Sequence, residues 1–241
     1  MSIHRFVYPH PQKAAEACAR HILMRLEEAL SGQPWASLAI SGGSSPKPIF
    51  EILAATRFAW DRVHLFWVDE RAVPPNDPQS NYGMAENLFI KPAHIPHRNV
   101  HRIHGELRPD EAARQYSGEI RSVFELAPDQ LPHFDVIHRG IGADGHTASL
   151  FPGEPLIEDR DGIAAAVYVE KMTQYRITLL PGVLLAAKHS VVFATGEDKA
   201  EVIHQILEGP YDPARLPAQI VSHHGRGLAW FLDQAAASRL E

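Results

Sequence analysis

The run Gly140-Ile-Gly142-Ala-Asp144-Gly145-His146-Thr147-Ala-Ser149-Leu-Phe-Pro152-Gly153 holds the side chains best suited to acid–base chemistry. Histidine titrates near neutral pH, and a carboxylate two residues away can orient its ring and favour the protonated form. The glycines leave room for a substrate. Gly140 to Gly145 also matches the dinucleotide pattern G-x-G-x-x-G. Two things count against that pattern here. Asp144 would repel a pyrophosphate, and Pro152-Gly153 arrives too soon for a crossover helix. The loop reads better as a holder for His146. The plain alternative is a capping histidine, since the chain has 15 histidines and most need no catalytic role.

Three further places could bind an anion. Ser41-Gly42-Gly43-Ser44-Ser45-Pro46-Lys47 lies between a buried strand and a helix, with Ser45 suited to the N-cap and Pro46 to the first helical position. Its glycines admit a close ligand, and a helix N-terminus offers free N–H groups. The spacing is not that of a Walker loop. Asp69-Glu70-Arg71 follows an apolar strand, where ligands gather in open parallel sheets; a solvated turn is the alternative. Arg176 sits in a strand-like segment, and Lys199 in the first turn of a helix, where a cation opposes the helix dipole. Lys199 could equally pair with Glu197, Asp198 or Glu201.

Other chemistries find little support. His97, His101 and His104 read as an extended surface segment, and neither H-E-x-x-H nor a cysteine partner occurs, so no metal is expected. There is no G-x-S-x-G elbow. Cys18, the one cysteine, falls among Ala14, Ala17, His21 and Ile22 in a helical pattern and reads as packed. What remains is an acid/base acting on water.

These residues need a scaffold. Residues 11–30 have the helical period and end before Gly32; residues 110–124 and 197–207 are also helical, and a helix runs from Pro46 to about residue 53. Residues 38–40, 63–67, 134–138, 175–180, 190–194 and 228–232 read as strands. Pro74 to Pro78 is turn chemistry, after which Ser80 or Asn81 caps a helix through about residue 88. The alternation predicts an α/β fold: one domain over 1–241, with a mostly parallel, Rossmann-like sheet flanked by helices on both faces. A net charge of −6 with no basic run disfavours nucleic acid or an anionic membrane as partner. The first residues lack a signal-peptide core and no span-length apolar stretch occurs, so the expected location is cytoplasmic.

Taken in order, Ser41-Gly-Gly-Ser-Ser-Pro-Lys47, Trp67-Val-Asp-Glu-Arg-Ala-Val-Pro74 with Ser80-Asn81, Gly142 to Gly153, Arg176-Ile-Thr-Leu and Thr195-Gly-Glu-Asp-Lys199 resemble the 6-phosphogluconolactonase family. The resemblance covers most of the chain. It implies hydrolysis of 6-phosphogluconolactone in the pentose phosphate pathway, without metal or organic cofactor. It implies His146 as base supported by Asp144, and Ser41, Gly42, Gly43, Ser44, Arg71, Arg176 and Lys199 on the phosphate and sugar, with Asp69 near the ring. The expected partner is the small sugar-phosphate lactone, and the expected assembly a monomer or weak homo-oligomer. Val169-Glu-Lys-Met-Thr-Gln-Tyr175 stands where the family often has a proline-rich run, and His138-Arg139 is more polar than that position suggests. One rival, an amino-sugar-phosphate isomerase/deaminase, shares the aspartate and Asp-Gly-His but follows the histidine with a different run, where Ser149-Leu-Phe-Pro-Gly153 stands here; the other, a non-catalytic sugar-phosphate sensor, is opposed by the intact Asp144/His146 pair.

Overall fold

Residues buried at every position, as in Ala36–Ile40 and Ala229–Asp233, make strands covered on both faces. The computed structural model describes residues 3–241; residues 1–2, included in the single-domain expectation, lie outside them. The chain opens with β1 (His4–Tyr8), α1 (Pro11–Gly32), β2 (Ala36–Ile40), α2 (Lys47–Ala55), β3 (Val63–Trp67) and β4 (Asp69–Arg71). It continues through α3 (Asn81–Ala85), β5 (Val100–His101), α4 (Pro109–Val123), β6 (Val136–Arg139), β7 (Ala164–Val169) and β8 (Gln174–Leu179). Last come α5 (Pro181–Ala186), β9 (His189–Ala194), α6 (Ala200–Leu207), α7 (Ala218–His224) and β10 (Ala229–Asp233).

Seven strands form a parallel sheet in the order β1-β10-β9-β6-β2-β3-β5. Alternate residues serve opposite layers, as the strand period requires. Val191 and Phe231 join Cys18 and Ile22 of α1 in the larger core; Val192, Trp230 and Leu232 pack with Val202, Ile203 and Ile206 of α6. From β2 the chain winds through β3 to β5, then returns to β6 on the other side of β2 and winds away through β9. The carboxyl ends of β2 and β6 therefore flank a topological switch point, the place where loops diverge and leave a crevice.

Several expectations need correction. The strand expected over 175–180 is β8, Gln174–Leu179, but it lies in a separate antiparallel sheet, β4-β8-β7, laid beside the switch point. Pro46 is the N-cap of α2, which starts at Lys47 without a side-chain cap; Ser45 instead lies in a turn closed by Lys47 N donating to Ser44 O. Ser80 does cap α3, its Oγ accepting from Gly83 N at 3.0 Å, but regular α-helix ends at Ala85 and a wider helical turn carries on to Ile90. The segment around His97 is not all surface: His101 is buried on β5, where Nδ1 meets Glu119 Oε1 at 2.7 Å and Nε2 meets His64 Nδ1 at 2.8 Å.

Candidate active site

The loops leaving β2 and β6 meet at the switch point, where Ser41 N donates to His138 O at 3.1 Å. Between them opens a pocket of about 240 Å³ lined by Ser41 to Ser45, Asp69, Arg71, Asn81, Gly140 to Gly142, His146, Ala148, Met172 and Arg176. Gly42 is required by close approach: a Cβ there would come within 1.8 Å of Asn81 Oδ1. Gly43 is required by conformation, with φ at +90°. Lys47, at the start of α2, does not line this pocket.

The loop after β6 folds back on itself. Gly145, at φ +80°, donates its N–H to Gly142 O at 3.0 Å, and Gly142 N donates to His146 O at 2.9 Å. This brings Asp144 Oδ1 to 2.5 Å from His146 Nδ1. The hydrogen bond from His146 holds the Asp144 carboxyl well below the usual carboxylate range, against the opposing effect of partial burial, with Lys171 Nζ adding a contact to Oδ2 at 3.2 Å. The imidazole stacks on Phe151 with ring centres 4.2 Å apart. With Nδ1 turned to a carboxylate, a neutral ring keeps its lone pair on Nε2.

The opposite wall comes from the small antiparallel sheet. Arg71 and Arg176 are register partners on β4 and β8, so two guanidiniums stand side by side. Arg176 is buried and lies 3.7 Å from Asp69 Oδ2, which also accepts from Ser149 Oγ at 2.7 Å. Burial lowers the pKa of Arg176 from its usual range, and Asp69 opposes that shift. Its Nη2 donates to the Met172 thioether at 2.8 Å, a weak acceptor, while Nε has no partner among the described residues.

Of the residues singled out from sequence, Ser41, Gly42, Gly43, Ser44, Asp69, Arg71, His146 and Arg176 line this one pocket, with Asp144 directly behind the histidine. Lys199 does not line it. It precedes α6, and its Nζ lies 3.8 Å from Asp198. Four contributors were missed. Asn81 fills the space beside Gly42 and donates to Asp69 O at 2.8 Å; Met172 sits on Arg176; Lys171 touches Asp144. Glu70 is no solvated turn residue but a buried carboxylate. It accepts from Asn81 N and Tyr82 N, both at 2.7 Å, and from Ser80 Oγ at 3.1 Å. Two of these carried a signal in the sequence, Asn81 beside Ser80 as a helix cap and Glu70 between Asp69 and Arg71 at a strand end, but nothing joined the one to the other.

Among the described residues no group of three or more His, Cys, Asp or Glu side chains is placed to hold a metal ion, and no helix is long and apolar enough to cross a membrane. Comparison with known proteins extends these observations. A 6-phosphogluconolactonase of Homo sapiens is 36% identical over 241 residues, covering 97% of this chain and 92% of its own. One from a Nostoc species is 34% identical over 220 residues, covering 91% and 90%. The solved structure of 6-phosphogluconolactonase from Trypanosoma brucei superposes with a TM-score of 0.89 at 27% identity, covering 100% of this chain and 99% of that one. Residues 9–230 match the family model described as glucosamine-6-phosphate isomerases/6-phosphogluconolactonase, and the chain belongs to that family.

Proposed function

We propose that this chain hydrolyses 6-phospho-D-glucono-1,5-lactone to 6-phospho-D-gluconate, the lactone-opening step of the pentose phosphate pathway, with His146 as general base and without a metal. The observation that carries this is His146, backed by Asp144, facing the same pocket as Arg71 and Arg176. Asp144 accepts a hydrogen bond from Nδ1–H and fixes the tautomer, so Nε2 accepts a proton from water as that water attacks the lactone carbonyl; collapse of the tetrahedral intermediate then breaks the bond from C1 to the ring oxygen, which leaves with that proton from Nε2. A δ-lactone is already an activated ester, so no covalent intermediate is required. The phosphate binds far from the carbonyl and orients the ring, which is how remote binding energy serves the reaction. Arg176 is its first partner, since phosphate is a far better acceptor than the Met172 thioether that now occupies Nη2. Lys199 is assigned to the phosphate by the family resemblance and would have to turn from Asp198 to reach it. The proposal includes a cytoplasmic enzyme acting as a monomer or weak homo-oligomer.

The test is base uptake at constant pH with freshly made 6-phosphogluconolactone, corrected for spontaneous opening. Catalysed acid release that survives exhaustive EDTA treatment and desalting is the expected result. No rate above background would sink the lactonase reading, and a loss restored by zinc or magnesium would sink the metal-free one.

A further inference from the structure

Arg139 is fully buried at the end of β6, one residue before the loop that carries His146. A guanidinium withdrawn from water is costly unless an anion compensates it. Arg139 has no carboxylate in ion-pair range among the described residues. Its Nε donates to Ser190 Oγ at 3.0 Å and its Nη1 to Thr147 Oγ1 at 3.3 Å, while Nη2 finds no partner among the described residues. Its surroundings would suit an apolar residue: its register partner is Val192, part of the core packed on α6. Burial accordingly pushes its pKa down to about 9.

What the cation does hold is the neck of the histidine loop. Thr147 follows His146 directly, and its hydroxyl, accepting from Arg139, donates to Gly140 O at 3.1 Å. Gly140, the first residue after β6, and Thr147, the first after His146, are thereby tied together across the loop. Inside that neck, Gly142 N and His146 O close the turn that sets the ring on Asp144.

We propose that Arg139 is a positioning residue for the hydrolysis, fixing His146 through Thr147 and Gly140 at a cost in fold stability. This rests on the reading of His146 as the base. The experiment compares Arg139→Leu, Thr147→Val and both together, each also in a His146→Asn background, by initial rates and thermal melting. A misplaced base can cost up to about a hundredfold, so Arg139→Leu should lower kcat about tenfold or more, with KM held within about twofold. Its melting temperature should rise, because an uncompensated buried charge is gone. Thr147→Val should lower kcat similarly, and the double variant should lose little more than either single one. In the His146→Asn background neither change should lower the residual rate.

A general structural role would instead lower kcat together with the melting temperature, and would lower the residual rate in the His146→Asn background. Either result overturns the proposal, as does normal kcat in Arg139→Leu beside a disabled His146→Asn. If Arg139→Leu fails to fold, normal kcat in Thr147→Val overturns it. Full kcat in His146→Asn itself would show that the general-base reading had failed, and the positioning role would fall with it.

Discussion

At Gly142 one methyl group decides where the His146 ring can lie, since a Cβ there would come within 2.0 Å of Nδ1 and 2.6 Å of Asp144 Oδ1. Gly142→Ala should therefore behave as a displacement of the proposed base, with kcat lower by about a hundredfold and KM nearly unchanged. Steady-state kinetics on the phosphorylated lactone check this; an equal rise in KM would mean that the whole pocket had moved. His146→Asn, which keeps the shape and removes the proposed base, should cost about 10²–10⁴-fold in kcat. Arg176→Ala should raise KM for the phosphorylated lactone and barely affect unphosphorylated gluconolactone, since each charge-assisted bond contributes about 1.5–3 kcal/mol. The same pair of substrates applied to Lys199→Ala shows whether that lysine reaches the phosphate. Asp144 and His146 were legible in the sequence because they stand two residues apart in one glycine-rich loop. Arg176 was legible as a cation in a strand, but its partners Asp69 and Met172 were not: one comes from a different strand, the other from the hairpin turn.

The short β4 strand does more than its length suggests. Its central Glu70 points away from the pocket and caps α3, while Asp69 and Arg71 on either side line the site, as strand alternation requires. Burial pushes the Glu70 carboxyl up, and the N–H groups of Tyr82, Asn81 and Arg71 pull against that shift. Glu70→Ala removes a charged acceptor from buried donors, and should lower unfolding free energy by about 3 kcal/mol. It should also raise KM, because Glu70 holds the backbone of Asn81, which lines the pocket beside Gly42; urea melts and kinetics on one preparation test both effects. Sequence patterning located the apolar strands β3, β6, β9 and β10, whose residues are buried on both faces. It missed β7, whose opening alanines favour no period, and β1, whose side chains are mostly exposed. It placed β8 correctly along the chain but not in its sheet, because β4 is too short and too charged to read as a strand, so nothing in the sequence announced the pairing that sets Arg71 beside Arg176.

At the scale of the whole molecule, the interior holds charge-prone groups that acid will expose. His138 is completely buried on β6 with neither ring nitrogen partnered among the described residues, and burial, helped by the neighbouring Arg139 charge, lowers its pKa to about 4. Unfolded, the same ring titrates near 6.5, so between those values the unfolded chain binds a proton that the folded one refuses. Stability should thus fall as pH drops from about 6.5 towards 4, by about 3 kcal/mol from this residue alone. His138→Leu should flatten that part of the dependence in urea midpoints taken at pH 7 and pH 5; an unaltered slope would assign the loss to other groups. The parallel sheet also has a consequence in time. Among the described residues β1 pairs with β10 alone, the first of the described strands with the last, and Phe6 stacks on Phe231 across that seam at 5.2 Å. During synthesis β1 leaves the ribosome long before β10, its neighbour in the sheet, and the long separation makes that closure slow. The central strands β2, β3 and β6 can assemble without it. The active-site crevice, built on β2 and β6, is thus ready before the rim is sealed, and pulse-labelling hydrogen exchange during refolding should record the amides of residues 5–8 among the last to gain protection.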